Sequence, residues 1–439
     1  MQRVVAIAIV VEAVLGLLPH LRLRRLSFMS VHWFFAIWLT IELPLHHLVL
    51  SIALAVLAVI AKAPLWTLAV AFVACVLHVG HFASARHAVA VFVNALDGFL
   101  PKQRRESLLQ ALEQRQWAFR TVPYPFRPRA VKVVRNVAYG PIKKRNFLDV
   151  YAPAAALPSA APRPVLLQVH GGAWTVSHKG HQAKPLMHAL AARGWVCVAI
   201  NYRLSPRAKF PDHIVDVKRA IAWVKQHIHE FGGDPSRIVI TGGSAGAHLS
   251  SLAALTANQA IFQPGFEQED TTVAACVPLY GVYDFLDRNR DRPDRMARLL
   301  FRMVMGSTAE AAREEWDRAS PLFWIHADAP PFFVIHGSDD CLAWIEEGRR
   351  FVAELRNVSK NPVLFAELPD TQHAFDHFHS ARAELAVEAV AAFVNEVVDP
   401  VALKEAAQTA PPSHASAPQL ALQVEPQTLA TLASHGQSP

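Results

Sequence analysis

The chain has 439 residues, room for two or three domains at the usual ~100–200 residues each. Hydrophobic residues make up 52%, charged residues 18%, and the mean hydropathy is +0.20, which excludes a disordered or fibrous protein and argues against a wholly soluble one. The formal charge of +7 is confined to the start: residues 1–127 carry 12 Lys/Arg against 5 Asp/Glu, and the remainder holds 31 of each. That placement points to anionic lipid rather than nucleic acid as the partner of the basic excess. The four cysteines, at 75, 197, 276 and 341, show no CxxC spacing, so neither a disulfide scaffold nor a cysteine zinc site organises the chain.

The apolar surplus comes first along the chain. Candidate membrane segments fall near 4–19, 28–43, 48–61 and 65–80, separated by His20–Arg25, by Pro44-Leu-His-His47 and by Lys62-Ala-Pro64. Each is shorter than the ~20 residues of an untilted span, and flanking Leu, Ala and Trp residues can extend it. A cleaved leader is disfavoured because 4–19 lacks a small-x-small site and runs into Arg22, Arg24 and Arg25. Those arginines place the first loop on the cytoplasmic side. Three further spans would then put the C-terminal part outside and two would put it inside, where Lys102, Arg104 and Arg105 favour it. The expected organisation is a transmembrane helical region at 1–100 and a basic juxtamembrane linker at 101–130. A catalytic domain at 131–398 and a disordered tail at 399–439, rich in Ala, Pro, Gln and Ser, complete it.

From Val131 the pattern changes to short β-branched runs alternating with amphipathic stretches. Strands are expected at 131–138, 147–151, 164–169, 195–200, 237–241, 273–280, 331–336 and 362–367. Between them, 211–230 sets Ile214, Val217, Ile221, Val224 and Ile228 on one helical stripe. Continuous apolar strands alternating with helices imply a mostly parallel sheet of about eight strands, covered on both faces, in an α/β domain. The stretch 284–324 is too long for an ordinary connection and reads either as a lid or as an amphipathic helix pair at the rim. Its arginines, balanced by Asp287, Asp291 and Asp294, form a solvated face rather than a phosphate site.

The strongest local signal is Gly242-Gly-Ser244-Ala-Gly246, a G-x-S-x-G directly after a strand and before a helix. Such a turn strains the serine and exposes its hydroxyl as a nucleophile, with glycines where Cβ atoms would collide. Upstream, His170-Gly171-Gly172-Ala173-Trp174 follows another strand. Backbone N–H groups of Gly171, Gly172 and Ala245 are the expected oxyanion donors, since acyl transfer needs donors where negative charge develops. In chains with this elbow the acid and the histidine follow the serine, in that order. His373, in Pro369-Asp-Thr-Gln-His373-Ala-Phe375, is the base candidate, with His377 and His379 as alternatives. Asp339 and Asp340 are adjacent acid candidates that spacing does not separate, and Asp370 fits a solvated turn better.

HGGAW, GGSAG, HGSDD and HAF, in this order, resemble the hormone-sensitive-lipase-like branch of the α/β-hydrolase carboxylesterases. Leu148-Asp-Val-Tyr-Ala-Pro153, Asn201-Tyr-Arg-Leu-Ser-Pro206 and Phe231-Gly-Gly-Asp-Pro235 look like the same branch, over residues 131–398. Membrane-anchored bacterial Lip-type esterases and isoprenylcysteine methylesterases are the most similar kinds. The resemblance selects Asp340, the Asp of H-G-x-x-D, as the acid. Two departures stand out: Cys341 follows the acid, and Ala173 replaces a third glycine. The implied activity is carboxylic ester hydrolysis through an acyl-enzyme by Ser244, His373 and Asp340, with no metal or organic cofactor. The expected partners are a small-molecule or lipid ester and the membrane. An amidase or formamidase with the same triad, or a non-catalytic membrane-bound binding module, are the rivals. On this reading residues 1–100 are a tether, and their deletion should leave short-chain ester hydrolysis within about threefold while long-chain hydrolysis in vesicles falls about tenfold or more. If the helices instead pack on the catalytic domain and stabilise it, both activities should collapse together.

Overall fold

The computed structural model describes residues 1–21, 30–117, 121–155, 162–290 and 294–398. Arg22, Arg24, Arg25, Asp291 and the tail from 399 lie outside them. The helical N-terminal part comprises α1 (Gln2–Leu17), α2 (Ser30–Glu42), α3 (Pro44–Ile60), α4 (Trp66–Ala85), α5 (His87–Ala95) and α6 (Lys102–Arg115). Pro44, expected within a break, opens α3, where its missing N–H costs nothing. The chain turns by 88° between α2 and α3. Gln2–Leu21 and Trp66–Ala95 are each long and apolar enough to cross a membrane, and the bent pair could supply a third crossing.

The α/β part holds β1 (Val131–Ala138), β2 (Phe147–Pro153), β3 (Arg163–Val169), α7 (Lys184–Ala192), β4 (Val196–Ile200), α8 (Asp212–His227), β5 (Gly233–Gly243) and α9 (Ala245–Leu255). It continues with β6 (Ala275–Leu279), α10 (Asp294–Leu299), α11 (Arg313–Arg318), β7 (Phe332–Gly337), α12 (Ile345–Val358), β8 (Val363–Leu368) and α13 (Ala381–Val398). All eight expected strands are present, in the order β1-β2-β4-β3-β5-β6-β7-β8. β2 runs antiparallel to β1 and β4, and every other pairing is parallel. The two-residue period divides each strand between two cores. In β4, Val196, Val198 and Ile200 face α8, α9 and α12, while Cys197 and Ala199 face α7 and α13. Ile214, Val217, Ile221, Val224 and Ile228 are all buried, as their stripe requires.

The second core does not stop at α13. Phe34 and Trp38 of α2, Phe92 of α5, Leu96, Leu100, and Leu108 and Leu112 of α6 are buried in it with Phe393 and Val394. Ion pairs Arg104–Glu396, Arg115–Glu384 and Arg115–Glu388 tie α6 to α13. The reading of residues 1–100 as a removable tether is therefore revised: part of that block is buried in the second core of the α/β part. Sequence periodicity does not distinguish an apolar face that meets lipid from one that meets protein.

In the 284–324 segment, Leu300, Val304, Met305 and Trp316 are buried, and Phe210 N–H donates to the Val304 carbonyl at 2.9 Å. Its Arg288 pairs with Asp284 and Asp317, so that arginine is not merely solvated.

On α8, Lys218 is fully buried and its ammonium faces the Thr256 carbonyl, Gln263 Oε1 and Thr271 Oγ1. Burial pushes its pKa down to about 7. Between that value and the ordinary ~10.4 the unfolded chain holds a proton that the folded chain lacks, so stability rises with pH there. The melting temperature should climb from pH 7.5 to 9.5, and Lys218→Met should flatten the climb. An identical slope in the variant would contradict this origin.

Candidate active site

Ser244 sits between β5 and α9 at φ +58°, ψ −121°, a conformation that a side-chain-bearing residue adopts only when its surroundings enforce it. Its N–H donates to the Leu279 carbonyl at 2.9 Å. A Cβ on Gly242 would lie 2.5 Å from the Gly246 backbone, and one on Gly246 would strike the Val169 carbonyl oxygen. The two glycines thus permit the turn. From Ile238 to Thr256 every residue but Ser244 is buried, so the turn lifts this one side chain toward solvent.

The loop after β3 carries three successive positive φ values, Gly172 at +106°, Ala173 at +50° and Trp174 at +58°. This loop lies against the elbow, since the Gly246 position abuts both Val169 and His170. His170 stacks on Tyr202 with ring centroids 4.4 Å apart, and its Nδ1 lies 2.7 Å from the Gly171 carbonyl. Burial pushes the imidazole down to about 3, so His170 is a neutral brace of the loop. The Gly171 N–H donates to Gln182 Oε1 at 2.5 Å, which occupies one of the three expected oxyanion donors. Gly172 and Ala245 remain, with Ala173 next in the same turn.

Asp340 and His373 project from the loops after β7 and β8. His373 Nδ1 is 2.6 Å from Asp340 Oδ2, and the other carboxylate oxygen accepts the N–H groups of Leu342 and Ala343, each at 2.8 Å. His336 Nε2 stands 3.3 Å from the same Oδ2 and 2.8 Å from the Ala343 carbonyl. Burial would raise the Asp340 carboxyl, but His373 and His336 together hold it well below the usual carboxylate range. Asp339 is partly exposed and lines a cleft with His20 and His81. Asp370 accepts a bond from Ser84 Oγ at 2.7 Å, His379 pairs with Glu384, and His377 packs edge-on to Trp38. Cys341 is buried and not disulfide-bonded.

Two neighbours of His373 carry no motif. Tyr280, just past β6, touches both the elbow and the histidine: a Cβ on Gly243 would meet its hydroxyl and ring, and its ring centroid is 4.5 Å from that of His373. Its hydroxyl donates to buried Asp376, whose carboxyl is raised by burial. The other neighbour is α2. Phe34 meets the His373 ring edge-on at 6.2 Å, and Trp38 Nε1–H donates to the Ala374 carbonyl at 3.0 Å. A tyrosine after a strand and an aromatic pair in an apolar run give no local signal of such roles.

The BD-FAE family profile matches residues 148–355. The probable carboxylic ester hydrolase LipM of Mycobacterium tuberculosis is 50% identical over 321 residues, covering 72% of this chain and 74% of its own. The chain belongs to the Lip esterases. This places it in the hormone-sensitive-lipase-like branch and among the carboxylic ester hydrolases. A probable isoprenylcysteine alpha-carbonyl methylesterase of Arabidopsis thaliana is 32% identical over 250 residues, which are 54% of this Lip esterase and 50% of the plant protein. Among solved structures, propionate-bound esterase Est2 of Thermogutta terrifontis aligns at TM-score 0.50 and 27% identity, over 61% of this chain and 95% of that one. The same enzyme is also known phosphonylated by sarin.

Proposed function

We propose that this Lip esterase is a membrane-anchored serine carboxylesterase that works through an acyl-enzyme. The observation that carries the reading is the strained, solvent-facing Ser244 on an elbow that shares the neighbour Tyr280 with a histidine bonded to a buried, ionised Asp340. Ser244 Oγ attacks the ester carbonyl while His373 takes its proton. Asp340 fixes the ring with Nδ1 protonated and stabilises the cation, leaving Nε2 for proton transfer. The developing oxyanion is met by the N–H groups of Gly172 and Ala245. Because Gly171 N–H is engaged with Gln182, Ala173 N–H takes the place first assigned to it. His373 returns its proton to the leaving alkoxide, and water then repeats the sequence on the acyl-enzyme.

A fluorophosphonate probe tests the nucleophile. One adduct per chain is expected, on the peptide carrying Ser244, and none in Ser244→Ala. An adduct elsewhere, or no adduct, would overturn the assignment. The adjacent acids give a second prediction. Asp340→Asn should lower kcat by ~10³–10⁴-fold, because the amide favours the wrong tautomer of His373, whereas Asp339→Asn should stay within about threefold. Equal losses would reverse the choice.

The membrane reading rests on the outward side chains of the helical part. Val4, Ile7, Val11, Ile52, Val56, Val59, Ile60, Phe72, Val73 and Val76 are all exposed and apolar, more than a water-facing surface carries. Gln2 donates to the Ala61 carbonyl at the far end of the helices, while His20, His81 and Ser84 lie at the hydrolase end. α1, α3 and α4 then make three crossings, with α2 lying along the hydrolase. The hydrolase then lies on the side where α1 ends, and the arginine-rich sequence that follows α1 marks that side as cytoplasmic by the positive-inside rule. A lipophilic ester dissolved in that leaflet reaches the site beside α2.

A further inference from the structure

Inside the helical part, α1, α3 and α4 bury a polar cluster that ester cleavage does not use. Glu12 comes from the middle of α1, His47 from the first turn of α3, and His78 from the second half of α4. Two imidazole nitrogens converge on one carboxylate oxygen, His47 Nδ1 at 2.9 Å and His78 Nε2 at 3.4 Å from Glu12 Oε2. One donor atom from each residue falls within 4.8 Å of the other two. Glu12 and His78 are buried, and His47 is mostly so.

The hydrogen bonding of this cluster is incomplete. A His47 N–H bond to Glu12 accounts for one nitrogen. His78 is fully buried: its Nε2 reaches Glu12 Oε2 only at the long distance of 3.4 Å, and its Nδ1 has no hydrogen-bond partner. A polar ring enclosed among apolar helices with one nitrogen unpartnered and the other weakly held is unfavourable, more so where lipid surrounds the helices. A neutral His78 with its lone pair facing the carboxylate would repel it. A cation at the point of convergence satisfies all three donors at once.

We propose that Glu12, His47 and His78 bind one divalent transition-metal ion, of which Zn2+ is the best match. Two imidazoles and a carboxylate suit zinc, whereas calcium and magnesium prefer all-oxygen sites. The fourth position falls to water, because the nearby His81 is committed: its Nε2 bonds the Gly16 carbonyl at 2.7 Å. The role is a clamp. The three ligands come from three helices, and one turn further on, Gly16 and His81 repeat the link between α1 and α4. Beyond that, Pro19, His20, His81 and Ser84 form a cleft with Asp339, Asp370 and Gln372, on the loops that carry Asp340 and His373. The ion therefore stiffens the helices against which those loops rest, and this inference does not depend on the identity of the ester.

The test uses the full chain purified in detergent. Elemental analysis should find about one zinc per chain. Chelation should lower the melting temperature by about 5 °C or more, and Zn2+ or Co2+ should restore it. Co2+ should also give the strong visible bands of a four-coordinate N/O site. Glu12→Gln and His78→Gln should lose both the metal and the response to chelator. His178→Gln/His181→Gln, which removes an exposed histidine pair with ring centroids 3.7 Å apart, should lose neither. Wild-type protein that takes up no metal on titration, or shows no thermal response and no cobalt bands, would overturn the clamp and leave a carboxylate–histidine contact that serves packing alone. Metal that departs with His178 and His181 would overturn it equally. The wild-type titration and cobalt spectrum decide the matter even if the cluster variants fail to fold.

Discussion

Ser244→Ala should lower kcat for an activated ester by at least ~10³-fold while leaving the fold in place. The two halves of this prediction have separate grounds. Ser244 is the one partly exposed residue from Ile238 to Thr256, so removing its Oγ opens no cavity in either core. Alanine also has a Cβ, so the strain at φ +58° is carried over rather than relieved. Stability should change by less than about 1 kcal/mol, within the range of substitutions that touch no packed or bonded group. What disappears is the covalent step. The donors at Gly172 and Ala245 and the His373–Asp340 pair remain, and they account for whatever hydrolysis persists above water. Turnover and circular dichroism on the same preparation check both halves. Retained turnover would exclude Ser244 as nucleophile, and lost structure would make the turnover result uninformative about chemistry, which is why Ser244→Gly, free of the Cβ strain, is the companion variant.

The legible part of this molecule is the part governed by short-range rules. All eight strands announced themselves through apolar runs bounded by turn residues. The α8 stripe followed from 3.6-residue spacing, and the serine turn from glycines whose Cβ atoms have nowhere to go. Asp340 needed more than spacing, because Asp339 beside it has the same chemistry. The difference is that the backbone turns Asp340 inward, onto the N–H groups of Leu342 and Ala343, and leaves Asp339 at the cleft. The engagement of Gly171 escapes the sequence for a related reason. A Gly-Gly pair shows that N–H groups are accessible, but not that the Gln182 side chain, eleven residues on, will claim one of them. Tyr280, Asp376 and Trp38 were invisible because their importance comes from contacts spanning 96 and 336 positions, Tyr280 to Asp376 and Trp38 to Ala374. No local pattern encodes a partner so far away.

Deleting residues 1–100 should abolish hydrolysis of short and long esters alike, because the protein should no longer fold. The block contributes Phe34, Trp38, Phe92, Leu96 and Leu100 to the second core, none more than 8% exposed. Losing the burial of five such side chains forgoes ~1.5–3 kcal/mol each, roughly 8–15 kcal/mol together, as large as the ~5–15 kcal/mol by which a whole domain is usually stable. Polar links go as well: Arg382, nearly fully buried, donates to the Ile41 carbonyl at 2.9 Å and would be left facing an empty surface. The loop of His373 loses Phe34 and the Trp38 bond to Ala374, so even a surviving fold would hold the base poorly. Trp38→Ala is the graded version, expected to cost ~3–5 kcal/mol while leaving the rest of the block attached. The measurement pairs a soluble short-chain ester with a long-chain ester in vesicles, alongside circular dichroism and melting. Parallel loss on both substrates, with loss of cooperative melting, is the expected result. A truncated protein that melts cooperatively and keeps its short-ester turnover would show that α2 and α5 merely rest on the hydrolase, and that tethering is their whole contribution.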